Sequence, residues 1–166
     1  MPDRRPVLVL LPWLLAALAP AGAGAQTATA TLSASVLPAA RLTLSSTSLT
    51  FPDADPNTVG QVSALGGPIS ITAKGRASQG AQVILTVLAS DDLRSSVNVI
   101  PASALTWTAS GPGFTGGTLN KTTAVTLGLW STSGVQTGTQ TWLFRNLWTY
   151  ATGTYTVVVT YTLSAP

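Results

Sequence analysis

Apolar and polar residues alternate along most of this 166-residue chain. The last alternating stretch places Tyr155, Val157, Val159, Tyr161 and Leu163 on one face. Successive side chains of a β-strand point to opposite faces, so a period of two predicts strands. Similar stretches, with turn signals between them, occupy residues 28–36, 42–51, 69–73, 82–89, 98–107, 125–129 and 139–150. This spacing predicts an all-β fold, an antiparallel Greek-key sandwich of the Ig-like type.

The residue types agree with the pattern. Thr, Ser, Val, Gly and Ala dominate, whereas Glu is absent and Met is scarce, which favours strand over helix. We expect one helical turn, at residues 91–96, with an aspartate as its cap. A Gly-x-Tyr sequence at Gly153 to Tyr155 has the form of a tyrosine corner, in which the hydroxyl of Tyr155 bonds to an upstream backbone group.

The first 25 residues have the order of a secretory signal peptide. Two arginines precede an apolar run from Val7 to Leu18, and small residues follow up to Ala25. We expect cleavage after Ala25. The apolar run is shorter than the ~20 residues of a membrane-spanning helix, so we expect no transmembrane anchor after cleavage. The sequence thus predicts a secreted or cell-surface protein with one domain, residues 26–166.

Residues 26–36, the N-terminal segment, alternate in a regular way. One face carries Ala28, Ala30, Leu32, Ala34 and Val36. Such a strand either pairs at the edge of its own sandwich or is donated to the sheet of a neighbouring copy. We favour the first arrangement, because edge strands normally fold back on their own domain.

Charge and residue content exclude several kinds of chemistry. Residues 26–166 carry six cations and four aspartates, and these charges are spread along the chain. Such a distribution does not indicate a nucleic-acid-binding protein. The chain has no His and no Cys, so it lacks nucleophile pairs of the Ser/His or Cys/His type and His-based zinc sites. We predict no enzyme, no cofactor and no metal. Asp53 and Asp55 fit a solvated turn better than a calcium loop, because Thr58 stands where that loop needs Gly.

Aromatic residues are the remaining candidates for a site. Trp107 and Trp130 are in phase with the apolar residues of their strands, which predicts core positions. Trp142 and Trp148, with Tyr150, are the better candidates for an exposed ligand-binding surface. An exposed indole or phenol ring can pack on the apolar face of a sugar.

The closing stretch "GTYTVVVTYTLSAP" resembles the C-terminal signature of WxL bacterial cell-surface domains. The upstream "ITAKGRASQGAQVILTV" is similar to an earlier block of that family, although both Trp-x-Leu motifs differ here. The resemblance implies an exported, non-catalytic β-sandwich that associates with the cell wall through a peptidoglycan-like polymer. Tyr161 stands where the family has Trp, so the resemblance adds it to the ligand-binding candidates.

We therefore predict a non-enzymatic cell-envelope protein that binds a wall polymer or other envelope proteins. The alternative is a pilin-like or coat subunit that associates with itself by strand complementation through residues 26–36.

Overall fold

The computed structural model describes residues 26–166, and the predicted signal peptide at residues 1–25 lies outside the described residues. Ser35–Pro166 forms one compact unit. Residues 26–38 contain no helix or strand, and every side chain among them is exposed. The structure thus assigns no strand to residues 26–36, where the sequence predicts one.

Eleven strands and one turn of 3₁₀ helix, Ala102–Ala104, make up the unit. The strands are β1 (Ala39–Leu44), β2 (Gln61–Ser63), β3 (Ile69–Arg76), β4 (Val83–Ala89), β5 (Leu93–Ser95), β6 (Asn98–Ile100), β7 (Leu105–Ser110), β8 (Gly117–Thr118), β9 (Val125–Trp130), β10 (Gly134–Arg145) and β11 (Val159–Ser164).

Two antiparallel sheets pack against each other. Sheet A has the strand order β1-β3-β10-β7-β8, with β2 also paired to β10, and sheet B has the order β11-β4-β9. β5 and β6 form a separate hairpin, which meets the chain just before β11 through a bridge between Arg94 and Thr156. The chain crosses between the two sheets after β3, β8, β9 and β10, and it returns from β4 to β7 through the β5–β6 hairpin, as in a Greek key. The predicted all-β sandwich is confirmed.

The core lies between the sheets and is built from alternate residues of the central strands. Ile71 of β3 and Leu85 of β4 are at most 1% exposed. Trp107 and Trp130 are buried, as their phase predicts. Their indole N–H groups donate to the backbone carbonyls of Thr115 and Pro112, so both polar atoms are satisfied.

Two local predictions fail. The helical turn expected at residues 91–96 is a strand instead, β5, whose Leu93 is buried. The strand expected to run to Tyr150 ends at Arg145, and a loop follows. Both stretches are short, so pairing with neighbouring strands determines their conformation more than the local propensity of their residues does.

Candidate functional site

A groove with mainly apolar walls lies between the end of β1, with the loop after it, and the chain from Tyr155 to Tyr161 that leads into β11. β1 and β11 end sheet A and sheet B on the same side of the sandwich. Four serine and threonine residues also line the groove: Ser46, Thr47, Ser48 and Thr156. The volume of the groove is about 440 Å³. We call it the β1–β11 groove. The side of β1 and the loop after it contribute Leu44, Leu49 and Phe51, the floor contains Ile69, Leu105 and Trp142, and the side of β11 contributes Tyr155, Val157, Val159 and Tyr161.

The groove leaves core-facing side chains half covered. On β11 and the residues beside it, all five residues that face the core are only partly buried: Val157, Val159, Tyr161, Leu163 and Ala165. Leu42 and Leu44 of β1 are also only partly buried. Isolated exposed apolar residues are ordinary, but a continuous apolar surface that faces a core indicates a missing neighbour.

The edge of β11 toward the groove has no strand partner in residues 26–166. The carbonyl oxygen of Val158 accepts from the N–H of Ser90, on the side of β4. Hydrogen-bonding groups of an antiparallel strand alternate between its two edges. The N–H and C=O groups of Val159, Tyr161 and Leu163 therefore face the unpaired edge.

The edge of β1 toward the groove is unpaired as well, within the described part of the chain. The N–H of Ser45 donates to the carbonyl of Ser70, on the side of β3. By the same alternation, the N–H and C=O groups of Leu42 and Leu44 face the unpaired edge of β1, and Leu44 lines the groove. Two unpaired backbone edges thus flank one apolar groove, which is the arrangement that accepts an added strand.

A polar bridge crosses the core at the floor of the groove. The hydroxyl of Tyr161, on sheet B, donates to Oε1 of Gln140, on sheet A, over 2.7 Å. The indole N–H of Trp142 donates to the same hydroxyl over 3.1 Å. Burial raises the pKa of the Tyr161 hydroxyl, which therefore stays protonated and serves as both donor and acceptor. This bridge ties β11 to sheet A.

Gln140 is itself fully buried, and its Nε2 has no hydrogen-bond partner in residues 26–166. A buried amide that is only half satisfied costs free energy of folding. The hydrogen bond from the Tyr161 hydroxyl to Oε1 is then the one bond that the side-chain amide of Gln140 makes in residues 26–166, so its loss should destabilise the position of β11 more than the loss of a surface hydrogen bond would.

The four predicted ligand-binding residues do not form one surface. Trp142 is only 4% exposed, and its ring lies 5.0 Å from that of its cross-strand partner Trp107. Its expected surface position is wrong, because it shares the inward phase of β10 with Gln140. Tyr161 is partly buried and lines the groove.

Trp148 and Tyr150 lie in the loop after β10. Trp148 is 69% exposed, and its indole N–H donates to Oδ1 of Asn57 over 3.1 Å. The ring of Tyr150 packs against Phe144, with 5.8 Å between the ring centroids, so Tyr150 offers little surface. Only Trp148 among the predicted residues is an exposed aromatic platform.

Tyr155 forms the hydrogen bond of a tyrosine corner. Its hydroxyl donates to the carbonyl oxygen of Ala151, four residues upstream, over 2.9 Å. Its ring also lines the end of the β1–β11 groove. The corner thus fixes the point where the chain enters the edge of sheet B.

The aspartates are used locally. Oδ1 of Asp55 accepts from the N–H of Asn57, which is the predicted Asx turn. Asp91 pairs with Arg94 over 2.8 Å, and Asp92 pairs with Lys121. Oδ1 of Asp92 also accepts from the N–H of Ala102, so it caps the 3₁₀ turn and not the helical turn expected at its own position. Among residues 26–166, no group of three or more carboxylates could hold a metal ion.

Comparison with protein-family models and with curated proteins finds no match for the chain. In the described part of the chain, no helix has the length and apolarity needed to cross a membrane. The β1–β11 groove was not predicted from the sequence. The sequence shows the apolar alternation of β1 and β11, but alternation does not tell which strand lacks a neighbour.

Proposed function

We propose that this chain is a non-enzymatic, exported structural subunit whose copies join by strand complementation. The N-terminal segment of one copy adds as a strand in the β1–β11 groove of another copy. The observation that carries the proposal is the groove itself, where half-covered core residues lie between two unpaired backbone edges. Such a site gives affinity through main-chain hydrogen bonds and specificity through alternate side chains.

The N-terminal segment matches the alternating pattern of the groove. It offers five small or medium apolar residues at alternate positions from residue 28 to residue 36. The lining of the groove on the side of β11 runs from Tyr155 to Tyr161 and presents four alternate positions. Seven residues span roughly 23 Å, so the groove takes most of the nine-residue segment, which spans roughly 30 Å. The segment is exposed in the monomer, with Leu32 at 91% and Val36 at 67%, so it is available to a partner.

The connection to β1 opposes insertion into the same copy. Only Leu37 and Pro38 separate Val36 from Ala39, the first residue of β1. A two-residue hairpin needs a positive φ at its first central residue and favours Gly or Asn there. Leu37 carries a bulky side chain and precedes proline, which disfavours that conformation. Pro38, with φ near about −65°, cannot take the second position of a type I′ turn. Donation to another copy avoids this turn.

The test uses one variant in the segment and one in the groove. We expect Leu32→Asp to remain monomeric, since a carboxylate cannot enter the groove, whereas the wild type forms larger species as its concentration rises. Thr31→Asp is the matched control, because Thr31 lies on the opposite face of the segment, and it should assemble as the wild type does. Analytical ultracentrifugation and electron microscopy measure the products.

Val159→Asp blocks the groove and leaves the segment intact. A mixture of Leu32→Asp and Val159→Asp then has one working segment and one working groove, so it should form dimers and nothing larger. Circular dichroism checks that both variants are folded. Assembly of Leu32→Asp equal to that of the wild type, or an unchanged monomer in the mixture, would contradict the proposal.

A second candidate function rests on Trp148. Its indole is 69% exposed and is held in place by Asn57, which suits packing on the sugar rings of a peptidoglycan-like polymer. We expect Trp148→Ala to reduce retention on purified peptidoglycan, and Leu32→Asp to leave the retention of a single copy unchanged. Equal retention of Trp148→Ala and the wild type would remove this candidate.

A further inference from the structure

Three cations lie together on the outer face of sheet A, away from the core. Arg41 of β1 is the direct cross-strand partner of Lys74 of β3, and Arg76 follows two residues further along β3. All three side chains are exposed. Residues directly opposite in an antiparallel pair have Cβ atoms about 5 Å apart, and diagonal neighbours are about 7–8 Å apart. We call Arg41, Lys74 and Arg76 the basic cluster.

No carboxylate neutralises the basic cluster. The four carboxylate side chains of residues 26–166 are Asp53, Asp55, Asp91 and Asp92. Asp91 and Asp92 form ion pairs with Arg94 and Lys121, and none of the four is within ion-pair distance of the basic cluster. Like charges directly opposite each other destabilise a sheet. Half of the six cations of residues 26–166 are thus concentrated where they lower stability, which points to a ligand of opposite charge.

The surface around the basic cluster is shallow and accessible. A shallow cleft of about 240 Å³ is lined by the cluster and by Ala39, Ala40, Gly75 and Gly134, all small residues. The next row of the same face carries three threonines in register, Thr43, Thr72 and Thr137. Small side chains let a chain-like ligand approach the backbone, and hydroxyl groups can bond its oxygens.

We propose that the basic cluster binds a linear polymer that carries phosphate groups. The guanidinium group of Arg41 can contact phosphate oxygens in a bidentate manner, and Lys74 adds a point charge beside it. Nε of Arg76 donates to the carbonyl oxygen of Leu37, and the terminal N–H groups of this guanidinium remain for a second phosphate. The face is flat, and three cations with a net charge of +2 over residues 26–166 are too few for a nucleic-acid duplex. A thin, flexible polyanion fits this geometry better, because it can lie along the row of threonines.

Each copy has one basic cluster, so an assembly would present many in series. Binding of a single copy does not depend on the proposed function, whereas any gain from multivalency rests on it. Linked sites raise the overall affinity when the polymer can span them. The assembled protein should therefore bind a long polymer more tightly than monomeric Leu32→Asp does.

The test measures binding of inorganic polyphosphate to the purified protein by fluorescence anisotropy. We expect a variant with Arg41→Gln, Lys74→Gln and Arg76→Gln to lose affinity by roughly ten-fold or more, since three phosphate contacts disappear. Arg145→Gln is the matched control, because it removes one exposed cation elsewhere on sheet A, and its affinity should change by less than about two-fold. Higher salt should weaken the wild type far more than the triple variant.

The same comparison in the Leu32→Asp background separates the two proposals. Loss of affinity on removal of the basic cluster in both backgrounds supports the site, whether or not the protein polymerises. Equal binding by the wild type and the triple variant would overturn it. Binding to vesicles of anionic phospholipid without binding to polyphosphate would overturn it as well, because the partner would then be a membrane surface.

Discussion

β4 and β11 are paired strands of one sheet with the same alternation in sequence, yet they are buried to very different extents. Leu85 of β4 and Leu163 of β11 lie directly opposite each other. Leu85 is fully buried, whereas Leu163 is only partly buried. The other core-facing residues of β4 are also at most 1% exposed: Val83, Val87 and Ala89.

The difference comes from neighbours and not from residue type. β4 has a paired strand on each side, β11 and β9, whereas β11 has one on a single side in the described part of the chain. Burial of a strand's inward face requires cover from the strands beside it and from the facing sheet. The sandwich is therefore a well-packed centre joined to an incomplete edge, and one added strand would give β11 the environment that β4 already has.

Identical substitutions at the two opposite leucines test this comparison most strongly. Leu85→Ala should lower the free energy of unfolding by about 3 kcal/mol, because it leaves an enclosed cavity. Leu163→Ala should lower that of the monomer by about 1 kcal/mol, because its site is already open to solvent. Urea denaturation of the Leu32→Asp background, which we expect to be monomeric, measures both.

The groove predicts a contrast within β11. Val159→Ala changes the lining of the groove, so it should weaken binding of a peptide of residues 26–36 more than Leu163→Ala does, because Leu163 lies beyond that lining. Equal destabilisation by Leu85→Ala and Leu163→Ala would contradict the view that β11 lies at an incomplete edge.

The hydroxyl of Tyr161 gives a second, smaller test of how β11 is held. Tyr161→Phe leaves Oε1 of Gln140 and the indole N–H of Trp142 without this partner, so the free energy of unfolding should fall by about 2 kcal/mol. Tyr155→Phe is the control, since it removes one exposed hydrogen bond and should cost about 1 kcal/mol or less. If the two variants have the same free energy of unfolding, the bridge between the sheets contributes no more to stability than an exposed hydrogen bond does.

A third test attempts to complete the edge within one copy. Replacing residues 37–39 by Asn-Asp-Gly allows a three-residue hairpin loop with Gly at its last position, which the natural linker disfavours. This loop puts Leu32 opposite Leu44, on the core-facing side of β1. The N-terminal segment could then fill its own groove, which should raise the free energy of unfolding by roughly 1 kcal/mol and abolish assembly. Hydrogen exchange should also slow at the N–H groups of Val159 and Leu163. Continued polymerisation of this variant would show that the linker does not decide between the two modes.

The sequence predicted the class of fold and much of the core, but not where the sandwich is incomplete. Alternation is a local property, so it assigned inward faces to Trp107 and to the closing strand. It could not assign Trp142, because the residues around it in β10 are apolar on both faces. It also predicted a strand at residues 26–36, where the structure has none. Likewise, Arg41 is far in sequence from Lys74 and Arg76, and it joins them only through the register of β1 and β3.

The smallest expected effect concerns the end of the sheet where the chain leaves β4 for the hairpin of β5 and β6. The hydrogen bond from Arg94 lowers the pKa of Asp91 to about 2, with help from the N–H of Asp92. A carboxylate whose pKa is lower in the folded state stabilises the fold above its unfolded pKa of about 4, and this contribution disappears as the pH falls toward 2. Solvent screens this exposed pair, so the change should be small. Between pH 4 and pH 2, the range bounded by those two pKa values, the free energy of unfolding should therefore fall slightly more steeply for the wild type than for Asp91→Asn. Urea denaturation at a series of pH values measures both slopes. If the two slopes are the same, the ion pair does not help to hold this end of β4, and the stability of the centre comes from apolar packing alone.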